Sequence, residues 1–129
     1  MVAMNSLKSN TAGWFGTISS FLKLAESDLV NSLQAHHLNC MLEPASALQV
    51  EAWKNCHKAL QTYLPKFTKR NVNALNFTII FEYVLPRERG RRPDVIILAD
   101  ATIFVLEFKD YYLPAQAHID QVSAYVSTL

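Results

Sequence analysis

The stretch from residue 91 to residue 109, RRPDVIILADATIFVLEFK, decides the fold of this chain and carries Asp94, Glu107 and Lys109 around mostly apolar runs. Two runs rich in β-branched and aromatic residues, 94–99 and 102–109, are separated by only two residues, which is the pattern of a tight β-hairpin. Counting outward from that loop pairs Asp94 with Glu107. Directly opposite side chains share one face, with Cβ atoms about 5 Å apart. The hairpin therefore predicts that the carboxylates of Asp94 and Glu107 lie next to each other.

The two acids need a compensating positive charge. Like charges directly opposite each other destabilise a sheet, and partial burial raises the cost because the carboxylates are poorly solvated. Lys109 lies two residues beyond Glu107 and hence on the same face. Mg²⁺ is one solution, since it binds one or two protein carboxylates and keeps other ligands for water and phosphate. The other is a strand-end salt bridge of Glu107 to Lys109 or an arginine, with Asp94 as a turn residue.

Length and composition indicate one globular domain. The chain has 129 residues, half of them apolar, enough to bury a core. Twelve basic and eleven acidic residues give a net charge of +1, which excludes neither nucleic acid nor small molecules as partners. Cys40 and Cys56 lack metal or disulfide spacing and are interpreted as reduced cytosolic thiols. With neither a signal sequence nor a long apolar run, we expect a cytoplasmic protein that does not bind membranes.

Periodicity and capping residues predict the other elements. Thr17 or Ser19 can begin a first helix, Ser46 and Gln49 form a capping box for a second, and Pro65 should end it. Helices are predicted over 17–38, from Ser46 to Pro65 and from Pro114 onward, and strands over 76–85, 94–99 and 102–109. The predicted order is ααβββα, an α/β (α+β) fold of two or three packed layers.

Two motifs resemble those of a known enzyme superfamily. Pro93-Asp94, a spacer and then Glu107-Phe108-Lys109 resemble the PD-(D/E)XK nuclease superfamily, and Gln121 with Tyr125 in HIDQVSAYV match the QxxxY helix motif of its RecB-type members. The run EYVLPRERGRRPDVIIL followed by FVLEFK is more narrowly similar to the N-terminal nuclease-like domain of uncharacterised bacterial Schlafen-type helicase-like P-loop proteins. The resemblance implies a restriction-endonuclease-like core with a central mixed sheet flanked by helices, and we expect its final core strand to be missing.

The resemblance also implies roles for particular residues. Asp94 and Glu107 would hold Mg²⁺, or Mn²⁺ in its place, with the backbone carbonyl of Phe108 as a further oxygen. Lys109 would assist the attacking water. Gln121 and Tyr125, four residues apart on a helix, would orient metal-bound waters or a phosphate; alternatively, Tyr125 bonds the helix to the sheet.

Additional metal and phosphate contacts are also implied. Glu82 would supply a further acid to the metal, unless it pairs with a nearby arginine, and Glu51 is the helical alternative for that acid. Four arginines beside Asp94 would bind phosphates, or else belong to an ordinary solvated loop. These arginines are Arg87, Arg89, Arg91 and Arg92.

The expected function is hydrolysis of nucleic-acid phosphodiester bonds, with DNA favoured over RNA. The alternative is a catalytically inactive nuclease-like module that binds nucleic acid or attaches to a helicase domain. The sequence has no Walker A loop, so residues 1–129 would be a single nuclease-like domain, a fragment or N-terminal part of a longer protein whose helicase or ATPase portion is absent. An uncovered sheet edge also predicts homo-oligomers.

Overall fold

The computed structural model describes residues 12–83 and 94–107, and of 118–121 the backbone alone. Three α-helices precede most of an antiparallel sheet, which confirms the α+β class. In chain order the elements are β1 (Trp14–Thr17), α1 (Ile18–Leu22), α2 (Glu26–Met41), α3 (Ala47–Arg70), a 3₁₀ helix (Val72–Asn76), β2 (Thr78–Phe81), β3 (Val95–Leu98), β4 (Ile103–Glu107) and β5 (His118–Gln121).

The sheet is a meander. Its strand order is β1-β2-β3-β4-β5, and each neighbouring pair is antiparallel. The prediction of a mixed sheet is therefore wrong for the strands that the structure describes. The tight loop between β3 and β4 requires those two strands to be antiparallel, because parallel strands need a long crossover.

The β3–β4 hairpin forms in the predicted register. Val95 pairs with Leu106 and Leu98 with Ile103. The backbone N–H of Ala99 donates to the carbonyl of Thr102 at 2.9 Å, so only two residues form the loop. This register confirms the pairing predicted from the loop length.

The first predicted helix is wrong in its extent. Its start is correct, because the Thr17 hydroxyl caps α1 by accepting from the N–H of Ser20 at 3.0 Å. The structure places strand β1 before that cap and breaks the helix between α1 and α2. Side chains of α3 contact the backbone carbonyls at the break. Gln61 Nε2 donates to Phe21 O at 2.8 Å, and His57 Nε2 lies 2.8 Å from Leu24 O. Such distant partners are invisible to local periodicity.

Helix α3 begins as predicted and ends later. The hydroxyl of Ser46 accepts from the N–H of Gln49 at 3.1 Å, which confirms the cap. Pro65 lacks an N–H and usually ends a helix, yet α3 continues to Arg70. Leu64 and Thr68 are both buried, so the core holds the helix on each side of Pro65.

The predicted last helix is wrong at its centre. His118–Gln121 form β5, which pairs with β4 through Val105 and Asp120, among others. Short apolar patterns do not separate helix from strand reliably. The N–H and carbonyl groups along the free edge of β4 favour strand pairing instead. The other residues of the predicted helix lie outside the described ranges.

Helices α1, α2 and α3 cover one face of the sheet. Phe21 and Leu33 from the helices are fully buried against Ile79 and Val95 of the sheet. A smaller cluster on the opposite face, around Ile96, draws only on the sheet and its flanks, so helices on both faces are not seen within the described residues. None of the described helices has the length and apolar character to cross a bilayer.

The end of α2 allows a first test of the fold. Leu42 caps this helix with φ 59°, donates its N–H to Leu38 O at 2.8 Å and is 85% exposed. Left-handed backbone costs a non-glycine residue about 1 kcal/mol. Leu42→Gly should therefore raise the free energy of unfolding in urea by about 0.5–1 kcal/mol. Leu38→Gly, within the helix, should lower the free energy of unfolding by about 1 kcal/mol. A lower free energy of unfolding in both variants would contradict the left-handed conformation of Leu42.

Candidate functional site

Three acidic residues, which we call the acidic row, lie side by side at one end of the sheet. Glu82 directly follows β2, Asp94 directly precedes β3, and Glu107 ends β4. Phe81 pairs with Val95, and continuing that register by one residue brings Glu82 opposite Asp94. The N–H of Glu82 indeed donates to Asp94 O at 3.2 Å.

The second neighbour of Asp94 is Glu107. The β3–β4 register ends with Val95 opposite Leu106, and its continuation by one residue brings Asp94 opposite Glu107. The two acids are partly buried, and their side chains follow the same alternation. The structure thus places the predicted carboxylate pair at the sheet end, with Asp94 in the middle of the row of three.

Glu82 is held in an unusual conformation. Its φ is 55°, in the left-handed region, and its side chain is only 8% exposed. Gly13 packs beside it and donates its N–H to Phe81 O at 2.8 Å; a Cβ at this glycine would meet the side chain of Leu33. Strained residues of this kind are often found at functional sites, and here the strain ends β2 beside Asp94.

Cys56 of α3 lies within electrostatic reach of these acids. Burial raises the pKa of the Cys56 thiol well above its usual value, and the charges of Asp94 and then Glu82 raise it further. The side chain is 5% exposed and packs in the main core. The N-terminal half of α3 is therefore the part of the helix layer near the acidic row.

Of the two acids proposed as an additional ligand, the structure brings only Glu82 next to Asp94. Glu51 is exposed on α3. It precedes Cys56 by five residues, which turns it about 140° around the helix from the side that meets the sheet. Sequence periodicity could have separated these two candidates, because Glu51 falls outside the apolar stripe of its helix.

The donor set suits a hard cation bound by two carboxylates. Among the described side chains, no three His, Cys, Asp or Glu residues form a group that could hold a metal ion, so Glu82 does not complete a three-carboxylate site. Mg²⁺ often takes only one or two protein carboxylates and completes its shell with water. Asp94 and Glu107 fit that requirement.

Several predicted site residues fall elsewhere. Gln121 lies in β5, opposite Phe104, so its predicted helical position is wrong. The same strand brings His118 opposite Glu107, a neighbour that sequence analysis missed because a helix was predicted there. The remaining predicted residues lie outside the described ranges: Arg87, Arg89, Arg91, Arg92, Phe108, Lys109 and Tyr125.

Comparisons with known proteins leave the family open. Neither protein-family models nor curated proteins nor solved structures match the chain. The motif resemblance therefore stays a prediction, and the acidic row is the structural observation that bears on function.

The environment of Cys56 can be tested through its thiol. Ellman's reagent should modify Cys40, which is exposed, and should reach Cys56 only after unfolding. The raised pKa of Cys56 has no effect on stability while both states are protonated. Above pH 9.0, the usual pKa of a cysteine thiol, Cys56 loses its proton in the unfolded state but keeps it in the folded state. The free energy of unfolding therefore falls as the pH rises. The slope is at most about 1.4 kcal/mol per pH unit.

Cys56→Ala is the matched comparison for this alkaline slope. The variant should lose the contribution of Cys56 to the slope. Urea unfolding from pH 8 to pH 10.5 measures both proteins. Equal slopes, or rapid modification of two thiols in folded protein, would contradict the described burial.

Proposed function

We propose that this chain is a metal-dependent nuclease domain of the PD-(D/E)XK type, with a restriction-endonuclease-like core, that hydrolyses nucleic-acid phosphodiester bonds. The observation that carries the proposal is the position of Asp94 opposite Glu107 at the sheet end, supported by the β3–β4 register. Asp94 directly precedes β3 and Glu107 ends β4, so paired strands position both acids, as a metal site requires. Fold class alone would not support this activity.

The proposed residues divide the chemistry among them. Asp94 and Glu107 would hold Mg²⁺ with the backbone carbonyl of Phe108. A bound Mg²⁺ lowers the pKa of its water and neutralises negative charge at phosphorus. Lys109 would hold the attacking water by a hydrogen bond and help remove its proton. The backbone N–H of Glu82 donates to the backbone carbonyl of Asp94 at 3.2 Å and would hold the main chain that carries the Asp94 carboxylate.

A second candidate function is a non-catalytic nuclease-like module that binds nucleic acid or a helicase domain. The observation that favours it is the strand conformation of Gln121, because the QxxxY motif relies on a helix to bring Gln121 and Tyr125 to one face. In this case the acidic row would serve only the fold.

Calorimetric titration with Mg²⁺ and with Mn²⁺ separates the two candidates. The nuclease proposal expects binding that is lost in both Asp94→Asn and Glu107→Gln. Glu51→Gln is the matched control, since it removes one exposed acid from the same protein. Binding that is absent, or equally strong in all variants, would favour the non-catalytic module.

A further inference from the structure

An exposed stripe of aromatic and basic residues follows the C-terminal half of α3. We define it as Tyr63, Lys66, Phe67 and Arg70, whose spacing of i, i+3, i+4 and i+7 places them on one side of the helix. Tyr63 is 47% exposed and Phe67 is 43% exposed. Lys66 Nζ lies 5.7 Å from the centre of the Tyr63 ring. Other side chains of this part of α3 are the buried ones: Ala59, Leu60, Leu64 and Thr68.

The charge of α3 departs from that of the whole chain. The helix carries five basic residues and one acidic residue, whereas the chain has twelve and eleven. The acid, Glu51, lies near the start of the helix, and the stripe near its end. The stripe is therefore a local positive surface on a nearly neutral protein, which attracts a polyanion.

We propose that the α3 stripe binds single-stranded DNA, with the bases stacked on Tyr63 and Phe67 and the phosphates bound by Lys66 and Arg70. Exposed aromatic rings between cations are the usual means of binding unpaired strands, because every base has a face that can stack. A duplex would use only the cations. The stripe offers no carboxylate or amide oxygen to select the ribose hydroxyl of RNA.

A membrane surface fits the stripe less well. Interfacial helices insert a whole apolar face into the lipid. In α3 that face is already buried against the sheet through Trp53, Leu60 and Leu64. Only two large rings, Tyr63 and Phe67, are exposed among the cations, which is little to insert.

The position of the stripe relates it to the acidic row. Tyr63 and Phe67 follow Cys56 by 7 and 11 residues, so each lies about 20° from Cys56 around the helix, one on either side of it. The rings are roughly 10 and 17 Å from Cys56 along the helix axis. A strand bound on the stripe can run along α3 toward the end of the sheet that carries Asp94. The inference names the substrate class and rests on the proposed nuclease function for its link to cleavage.

Fluorescence anisotropy with a labelled oligothymidylate about 15 nucleotides long tests the stripe. The titrations are made in EDTA, so the acidic row plays no part, and failure here is distinct from failure of the nuclease proposal. The variant with Tyr63→Ala and Phe67→Ala should bind roughly tenfold more weakly or worse. The variant with Lys66→Gln and Arg70→Gln should reduce the salt dependence, the slope of log K against log salt, by about 1.4.

Matched controls make the result specific. Lys58→Gln removes one exposed cation from another side of α3 and should weaken binding less than Lys66→Gln does, and Phe67→Trp should retain binding. Circular dichroism verifies that each variant is folded. Unchanged affinity in both double variants would overturn the proposal, and so would an equal loss in Lys58→Gln. Stronger binding to duplex DNA, to RNA of the same length or to phosphatidylserine vesicles would overturn it as well.

Discussion

Under the proposed nuclease function, Asp94→Asn is expected to lower Mg²⁺-dependent cleavage of a labelled oligonucleotide by roughly 10²–10³-fold, the usual effect of removing a preorganised group that stabilises charge in a transition state. Asp94 lies in the middle of the acidic row, with Glu82 on one side and Glu107 on the other. Asparagine keeps the size of the side chain and one oxygen but removes the negative charge. The fold should persist while metal affinity falls.

The same assay applied to other variants distinguishes a metal site from general charge. Glu107→Gln and Lys109→Ala should lose activity to a similar extent, whereas Glu51→Gln should retain it because Glu51 is exposed and away from the row. Raising Mn²⁺ should partly restore cleavage by Asp94→Asn if weakened metal binding is the cause. Cleavage that survives Glu107→Ala or Lys109→Ala would exclude these residues as the site.

Phe21→Ala is expected to give the largest loss of stability, about 3–5 kcal/mol, which is the usual cost of emptying a buried phenylalanine site. Phe21 is fully buried between three rings. Ring centroids lie 5.4 Å away in Phe81, 5.4 Å in His57 and 6.1 Å in Trp14. The residue therefore joins α1 to both the sheet and α3. Because small domains are stable by only about 5–15 kcal/mol, the variant should be near the limit of folding.

Phe67→Ala is the control for this substitution. It makes the same chemical change at an exposed position near the end of α3, where Phe67 is 43% exposed, and should cost roughly 1 kcal/mol or less. Urea unfolding followed by circular dichroism measures both variants, and Phe21→Leu should be intermediate. Equal losses for the two alanine variants would contradict the described core.

Local sequence was a good guide where the determining interactions are local. The β3–β4 register followed from a two-residue loop between apolar runs, and Thr17 and Ser46 cap their helices as predicted. Each of these features depends on residues within a few positions of one another. The pairing of Asp94 with Glu107 belongs to the same group, because the loop alone sets which residues are opposite.

Predictions failed where distant residues compete with local preference. Gln61 and His57 contact carbonyls at the end of α1, more than 30 positions away in sequence, and the predicted first helix is divided there. Residues His118–Gln121 form a strand because they pair with the edge of β4. Pro65 failed to end α3 because buried contacts on both sides hold that helix.

The sequence by itself determined the hairpin and the carboxylate pair, since alternation and loop length leave one register for Asp94 and Glu107. Only the tertiary structure decided which further groups join them: Glu82 through the β2–β3 pairing, and Cys56 through the packing of α3. It likewise decided that Tyr63 and Phe67 stay at the surface while Leu60 and Leu64 enter the core. The physical reason is that register is a local property, whereas burial depends on which faces of separate elements meet.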